Sequence, residues 1–302
     1  MDLTGLSNYV NENAHELINK SLMGSISMGE LFVMPGIKSS ETINLIGTQL
    51  NAVVGHCSVP SGDITAITQR EMKVVEISTG EEICIADLNK FYTQAQLNKG
   101  SYDEELGFDS IYAEAKAEAI QKMVEKQIWA GSVANGAGNL ALVDGFVQLF
   151  SAGIGQIAGN TIGATVIDAT NIIDVVNATV AARHADSIST ASKIFIGAEL
   201  FELYTTALVN ANLYHFNGES LNGRISVPGK NVTVIATDGL IGTNKLYLEV
   251  GDNFRVGTDL LSELGEDFKM WFSEDKQKFV FLAKYKLGVQ VARPDYAVEF
   301  SL

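Results

Sequence analysis

The amino-acid sequence predicts an α+β protein, and two contrasting halves of the chain lead to that prediction. A long helical pattern from about Phe108 to Trp129 precedes a helix–strand–helix succession, which is typical of a compact α/β domain. From Asn231 onward the pattern is mostly strand, in the segments VTVIAT, KLYLEV, FKMWFS, FVFLAKYKLGVQVA and YAVEF. The chain has 302 residues, of which 46% are hydrophobic, so it can form one large domain or two ordinary ones.

The charge balance and the cysteine count argue against several classes of protein. Acidic residues number 36 against 21 basic ones, and the formal net charge of −15 repels phosphate backbones. Cys57 and Cys84 are too few for a disulfide framework and suit a reducing compartment. The N-terminus is polar without a signal-peptide core, and acidic and amide residues interrupt the most apolar region, 140–180. We therefore expect a soluble intracellular protein without a membrane span.

The first third of the chain predicts little core. Residues 1 to about 45 are typical of an extended arm with one short helix, NENAHELINKSL. From about Thr48 to Ile85 the chain is rich in β-branched residues, and Thr79-Gly80 indicates a turn, so we expect a long hairpin or a strand pair. A hairpin buries little by itself and needs another surface to lie against. A further helix is expected in ADLNKFYTQAQL.

The long helix carries apolar residues in two rows, which predicts contact with two different surfaces. The first row contains Phe108, Ile111, Tyr112, Ala115, Ala119 and Met123, and the second contains Ile120, Val124 and Ile128. After Trp129 the small-residue run AGSVANGAG follows, in which we expect Gly131 to adopt a left-handed conformation that ends the helix.

The middle of the chain predicts three more helices around one strand. We expect helices over 140–160 (LALVDGFVQLFSAGI) and about 171–186, then the buried strand KIFIGA and the helix ELFELYTTALVNANLY. Farther on, the polar turn EDKQK is expected to join two strands into a hairpin.

No motif for catalysis or cofactor binding stands in a suitable context. Gly136-x-Gly138-x-x-Ala141 fits a dinucleotide fingerprint only superficially, because a helix precedes it where a strand is needed. The pair His56-Cys57 lacks a second ligand pair for a metal. The histidines share no partner pattern; they are His15, His56, His184 and His215. DNFRVGTDLLSE lacks the alternating oxygen ligands of a calcium loop. We predict no catalytic, cofactor-binding or metal-ligating residues and no cofactor.

The order of the parts resembles the shell fold of tailed-bacteriophage major capsid proteins, which encapsulin nanocompartments share. Seven stretches carry the resemblance: TQREMKVVEISTGEEICIADLNKFYTQAQLNKGSYDE, EKQIWAG, LVDGFVQLF, NIIDVVNAT, KIFIGAELFELYTTALVNANLYHF, NFRVGTDLLSELGEDFKMWFS and GVQVARPDYAVEF. Together they cover most of residues 64–300, and they look most similar to capsid proteins of gut phages that infect Bacteroides-like hosts.

The resemblance implies a role for each region. It implies an N-terminal arm over 1–45, an extended loop over 46–86, a peripheral domain with a spine helix over 87–135, an axial domain over 136–230, and strands completing both domains over 231–302. It further implies pentamers and hexamers of the chain itself, which form an icosahedral head around double-stranded DNA without sequence-specific binding. A separate scaffolding protein, a portal and a decoration protein are implied partners, with assembly in the host bacterial cytoplasm and final location in the virion.

The sequence departs from the family in one respect, and two alternatives to the capsid function remain open. Some relatives join subunits through a lysine of the extended loop, but residues 51–72 contain no lysine and Lys73 is the first after them. An encapsulin-type shell is the first alternative. The second is an α/β enzyme that uses Asp144, Asp168 and Asp174 for acid–base work, although acids that interrupt apolar helices more often cap than catalyse.

Overall fold

The structure is a computed structural model, and it describes residues 24–49, 64–84, 108–213, 222–259 and 268–302 together with four isolated positions, Leu17, Lys20, Ser21 and Val54. The helices of this part of the chain are α1 (Ile26–Glu30), α2 (Phe108–Ala130), α3 (Phe146–Ser151), α4 (Ile172–Ala181) and α5 (Ala198–Asn210). Its strands are β1 (Phe32–Met34), β2 (Ser40–Gln49), β3 (Ile64–Lys73), β4 (Val75–Cys84), β5 (Ile157–Ala158), β6 (Ser192–Gly197), β7 (Arg224–Ser226), β8 (Val232–Thr237), β9 (Leu246–Val250), β10 (Phe254–Asp259), β11 (Phe268–Ser273), β12 (Lys278–Val291) and β13 (Val298–Phe300). The helix predicted over 11–22 falls almost wholly outside the described residues, and the one predicted over 86–97 lies entirely outside them.

The described strands form three sheets. The first has five strands around β12: β10 pairs with residues 286–291 and β11 with residues 278–283 on one edge of β12, and β4 pairs with residues 278–287 on the opposite edge. β1 pairs in parallel with β10. The second has six strands in the order β5-β13-β9-β6-β8-β7. The third contains only β2 and β3, paired antiparallel. The strands predicted after Asn231 and the EDKQK hairpin between β11 and β12 are confirmed.

The described residues form two large apolar cores, and one tryptophan connects the larger core to the six-stranded sheet. The larger core joins α2 and α3 to the five-stranded sheet, and the smaller packs α4 and α5 on the six-stranded sheet. The Trp129 ring lies 5.2 Å from Phe146, 5.0 Å from Phe195 on β6 and 5.8 Å from Tyr247 on β9, measured between centroids. Phe146 in turn stacks on Phe254 of β10 at 5.1 Å. The end of α2 therefore connects both sheets through aromatic contacts.

The spine helix is confirmed, but only one of its two predicted apolar rows is buried. Ile120, Val124 and Ile128 are buried as expected. In the first row Ala115 and Ala119 are exposed, and Ala113 and Ala117 occupy the buried face instead. Alanine is small enough to be tolerated on either side of a helix, so its spacing was misleading. The side chains of Phe108 and Ile111 lie outside the description.

The turn predicted at Thr79-Gly80 is wrong, because both residues lie inside β4. Thr79 stands opposite Ala283 and Gly80 opposite Leu282 in the ladder with β12. A Cβ at Gly80 would lie 2.8 Å from the carbonyl oxygen of Phe281, so this glycine permits close approach of a strand rather than a turn. The real hairpin is formed by β2 and β3, and only Val74 separates β3 from β4.

Two predicted helices are shorter than expected, and Gly131 has a different role. The helix over 140–160 is reduced to α3, which ends before Gly153 and Gly155, whose φ angles are +74° and +96°. The helix over 171–186 ends at Ala181. Gly131 is not left-handed: it allows close packing, since a Cβ there would lie 2.6 Å from the carbonyl oxygen of Gln127. In this stretch the left-handed residue is Gly138, with φ +58°.

Candidate functional site

The most exposed secondary structure among the described residues is the hairpin of β2 and β3. Its register runs from Ser40 opposite Lys73 to Gln49 opposite Ile64. Ile46 and Ile67 stand directly opposite each other and are 60% and 66% exposed. Side chains on both faces of its outer part are exposed, which is unusual for a ribbon with such apolar residues. The hairpin therefore presents an unpartnered apolar surface.

The base of the hairpin is fastened to the rest of the chain. Ile43 and Met72 are buried in a small apolar cluster with Ile37 and Ala292. Three hydrogen bonds from side chains to backbone carbonyls also connect the hairpin to the rest of the chain. Arg70 Nη2 donates to the Ile154 carbonyl at 3.3 Å, Gln290 Nε2 donates to the Glu71 carbonyl at 2.7 Å, and Arg293 Nη2 donates to the Ile46 carbonyl at 3.5 Å. The base is thus fixed by packing, in which Leu45 also takes part, and Ile46 receives one further hydrogen bond from Arg293.

A buried polar contact fixes α1 on the spine helix α2. The hydroxyl of Ser27 donates to Glu125 Oε1 at 2.5 Å and its backbone N–H to Oε2 at 3.1 Å. Trp129 Nε1 donates to the Ser27 hydroxyl at 2.6 Å. Burial raises the pKa of the Glu125 carboxyl, and the hydrogen bonds from Ser27 oppose that rise. These bonds determine where the N-terminal part of the chain meets the core.

A second buried acid lies where the two sheets approach each other. Glu249 Oε2 on β9 accepts the backbone N–H of Phe254 at 2.9 Å, and Lys193 Nζ lies 4.0 Å from its Oε1. Lys193 also pairs with Glu30 Oε2 at 3.3 Å, and Glu30 pairs with Arg224. Burial raises the pKa of Glu249 to about 8. This chain of charges links the end of α1 to the six-stranded sheet.

The three acids of the enzyme alternative each have a local role. Asp144 Oδ1 accepts the backbone N–H of Val133 at 2.8 Å. Asp168 Oδ1 accepts the Thr170 hydroxyl at 2.5 Å and the N–H of Thr170 at 2.8 Å, which lowers the pKa of Asp168. Asp174 is exposed in the first turn of α4. A general acid needs a raised pKa, so the environment of Asp168 suits a turn cap and not proton transfer.

The remaining candidate residues do not converge. Gly138 opens a short 3₁₀ helix, Gly138–Ala141, and the Gly136 N–H donates to Ser132 at 2.8 Å, so the loop bonds to itself. The His184 ring packs 5.0 Å from Tyr296. Cys84 is the last residue of β4. The other cysteine and the three other histidines lie outside the described part of the chain: His15, His56, Cys57 and His215. Across the described ranges no cluster of His, Cys, Asp and Glu could hold a metal ion, and no helix combines the length and apolarity of a membrane span.

Sequence reasoning missed the contact between Ser27 and Glu125, because 98 residues separate the partners. One signal was available: Glu125 stands three and four residues before Ile128 and Trp129, the large apolar residues that end the helix. An acid at such a position must find donors or become neutral.

No family model matches the chain, and no curated protein matches it. Solved structures resemble it over nearly its whole length. They include the capsid of Myoviridae phage XM1 (TM-score 0.56, 12% identity, 92% of this chain and 91% of that chain) and Gordonia phage Cozz (TM-score 0.58, 13% identity, 92% and 86%). A virus-like particle from Pyrococcus furiosus also matches (TM-score 0.51, 13% identity, 96% and 98%). The chain has the tailed-phage major capsid fold. The fold expected from the sequence is thereby confirmed.

Proposed function

We propose that this chain is a major capsid protein, whose copies assemble as pentamers and hexamers into an icosahedral head around double-stranded DNA. One observation carries the proposal: the likeness to the phage XM1 capsid extends over 92% of this chain and 91% of that one, so neither has a large part that the other lacks. The exposed hairpin supports it, because an apolar ribbon of this kind becomes stable when it lies against a neighbour.

Within this proposal each region keeps its expected role. Residues 1–45 form the arm, 46–86 the extended loop, 87–135 the peripheral domain and 136–230 the axial domain, with 231–302 completing both. β2 spans Ser40–Gln49 and so crosses the boundary between arm and loop. A pull on the arm would therefore reach the loop directly.

The proposed partners are other copies of the chain, with a scaffolding protein, a portal and a decoration protein as further candidates. The net charge of −15 suits a wall that encloses DNA without binding it tightly. Since residues 51–72 lack lysine, non-covalent contacts of arm and loop would hold the shell. Assembly would take place in the cytoplasm of the bacterial host, and the quoted sequence stretches suggest a gut phage of Bacteroides-like hosts.

The first experiment is to measure particle size. The purified protein would be separated on a sizing column, and the leading fraction examined by negative-stain electron microscopy. We expect closed shells or rings tens of nanometres across. A monomer or dimer that stays unassembled, also with crowding agent and with scaffolding protein co-expressed, would contradict the proposal.

Particles isolated from their natural source distinguish the two shell functions. Packaged double-stranded DNA would support the capsid, whereas a protein cargo and shells that form without scaffold would favour the encapsulin alternative.

A further inference from the structure

Arginine is rare in this chain and concentrated at the base of the hairpin. The sequence has five arginines, and three of them, Arg70, Arg255 and Arg293, line two grooves there. The groove that contains two of them, here called the neck groove, has a volume of about 430 Å³ and is bordered by Leu45, Ile46, Asp252, Arg255, Arg293 and Tyr296. Arg70 lines the second groove, of about 440 Å³.

The two guanidinium groups of the neck groove have unused donors. Neither forms an ion pair within 4.0 Å with a carboxylate of the described residues, whereas Arg224 pairs with Glu30. Among the described residues, the buried Arg255 Nε has no hydrogen-bond partner, and Arg255 Nη1 contacts the sulfur of Met34 at 3.9 Å. The Arg293 guanidinium makes one long bond, 3.5 Å to the Ile46 carbonyl.

The surroundings orient both groups without neutralising them. The Arg255 guanidinium lies 5.1 Å from the centre of the Phe32 ring, and that of Arg293 lies 5.9 Å from the centre of Tyr296. A guanidinium carries five N–H donors in a planar fork that matches a carboxylate in a bidentate arrangement. The half-buried Arg255 and the exposed Arg293 would each donate a charge-assisted hydrogen bond to a carboxylate that enters the groove.

We propose that the neck groove receives an acidic side chain from a second copy of this chain, so that its two arginines bind a neighbouring subunit. This inference rests on the proposed function, since it requires copies to assemble. The groove is continuous with the exposed surface of Ile46, so an incoming segment could place an apolar residue on the hairpin and a carboxylate between Arg255 and Arg293.

A neighbouring subunit fits the groove better than nucleic acid does. Each copy carries 36 acidic residues, so carboxylates are abundant on any partner copy. A DNA backbone would instead meet the repulsion of a chain with net charge −15, and Asp252 borders the groove itself. The apolar edge of Leu45 and Ile46 also suits a polypeptide rather than a row of phosphates.

The test removes the two charges and measures assembly. In Arg255→Gln with Arg293→Gln, we expect the critical concentration for shell assembly to rise by about tenfold and to depend less on salt than in the natural protein. The matched control is Lys126→Gln with Lys284→Gln, which removes the same charge from two exposed lysines outside the arm and loop, for which no ion pair to a described carboxylate exists. The control should assemble like the natural protein.

A single substitution separates a loss of assembly from a loss of folding. Arg293 is exposed, so Arg293→Gln should leave the thermal unfolding midpoint unchanged and still raise the critical concentration, by about threefold. A photoreactive amino acid in place of Asn44, which also borders the groove, should crosslink to an acid-containing peptide of another copy.

Each other result has a distinct meaning. If the natural protein forms no shells, the proposed function fails and this inference fails with it. If shells form and the double variant assembles as readily as the natural protein, only the inference fails. If the double variant assembles normally but loses affinity for a double-stranded DNA oligonucleotide, the groove binds phosphate, and the inference is overturned.

Discussion

The end of the spine helix and the strands of the hairpin use apolar residues in opposite ways. Around Trp129, which is completely buried, aromatic rings from α3, β6 and β9 pack within 6 Å. On the hairpin the opposed Ile46 and Ile67 remain largely in solvent. The first arrangement stabilises a single subunit, because its apolar area is already buried. The second can contribute only when another surface covers it, so under the proposed function the two regions serve folding and assembly separately.

The largest effect is expected at the tryptophan. Trp129→Ala would leave a cavity between the two sheets and remove the bond to Ser27, and we expect a loss of about 3–5 kcal/mol in the free energy of unfolding. Urea denaturation measures it. The control is Trp271→Ala, since the chain has two tryptophans and Trp271 is 40% exposed. Equal losses in the two variants would show that Trp129 is not the centre of the core.

The second effect is a dependence of stability on pH. The pKa of Glu249 is about 8 in the folded chain against 4.5 for a free carboxyl, mainly because the group is buried. The folded state therefore binds more protons than the unfolded state between these values, and stability should fall as pH rises through this window. The slope from this group is at most about 1.4 kcal/mol per pH unit.

Glu249→Gln provides the matching control, because an amide oxygen can still accept the Phe254 N–H without titrating. Thermal unfolding of both proteins between pH 6 and about pH 8 should show a steeper decline in the natural chain. Parallel pH profiles would mean that Glu249 stays ionised in the folded state.

A smaller loss is expected at the contact between α1 and α2. Ser27→Ala would deprive both Glu125 and Trp129 of a hydrogen-bond partner in a buried place, which should cost about 1–3 kcal/mol. Ser78→Ala, on the exposed side of β4, should change the unfolding free energy by less than about 0.5 kcal/mol. If Ser27→Ala is equally mild, α1 does not depend on this contact.

The smallest change in subunit stability is expected on the hairpin. Ile46→Ser with Ile67→Ser should alter the free energy of unfolding by less than about 0.5 kcal/mol, because both side chains are exposed. Assembly, followed by light scattering, should nevertheless become weaker. Ile188→Ser is a control on the body of the subunit at 60% exposure. If the double variant assembles as readily as the natural protein, the hairpin does not act as an apolar contact surface.

Helices and strands were predicted best from the sequence where their apolar residues repeat regularly over a long segment. The spine helix and the late strands were found because each repeats its apolar pattern over many residues, as in FVFLAKYKLGVQVA of β12. Thr79-Gly80 led to a wrong prediction of a turn, because the sequence alone does not distinguish a glycine in a turn from a glycine that allows a neighbouring strand to approach closely. What distinguishes them is the carbonyl of Phe281, which is some 200 positions away in the sequence.

The candidate site was less accessible to sequence reasoning than the fold. That a hairpin needs a partner surface followed from composition, but its strands were misassigned, since β2 was placed partly in the arm. The neck groove could not be predicted, because Arg255 and Arg293 lie on different segments and their closeness depends on the register of β10 with β12. Isolated arginines carry no pattern of their own.

The short step at Val74 has a mechanical consequence. The chain leaves the hairpin along β3 and, after this one residue, enters β4, whose ten residues are aligned with Leu287 to Lys278 of β12. Tension that reaches β4 along its own axis would load the whole row of hydrogen bonds with β12 in shear and would not break them one at a time. In the proposed shell, internal pressure could therefore strain the hairpins considerably before any of them pulled its own subunit apart.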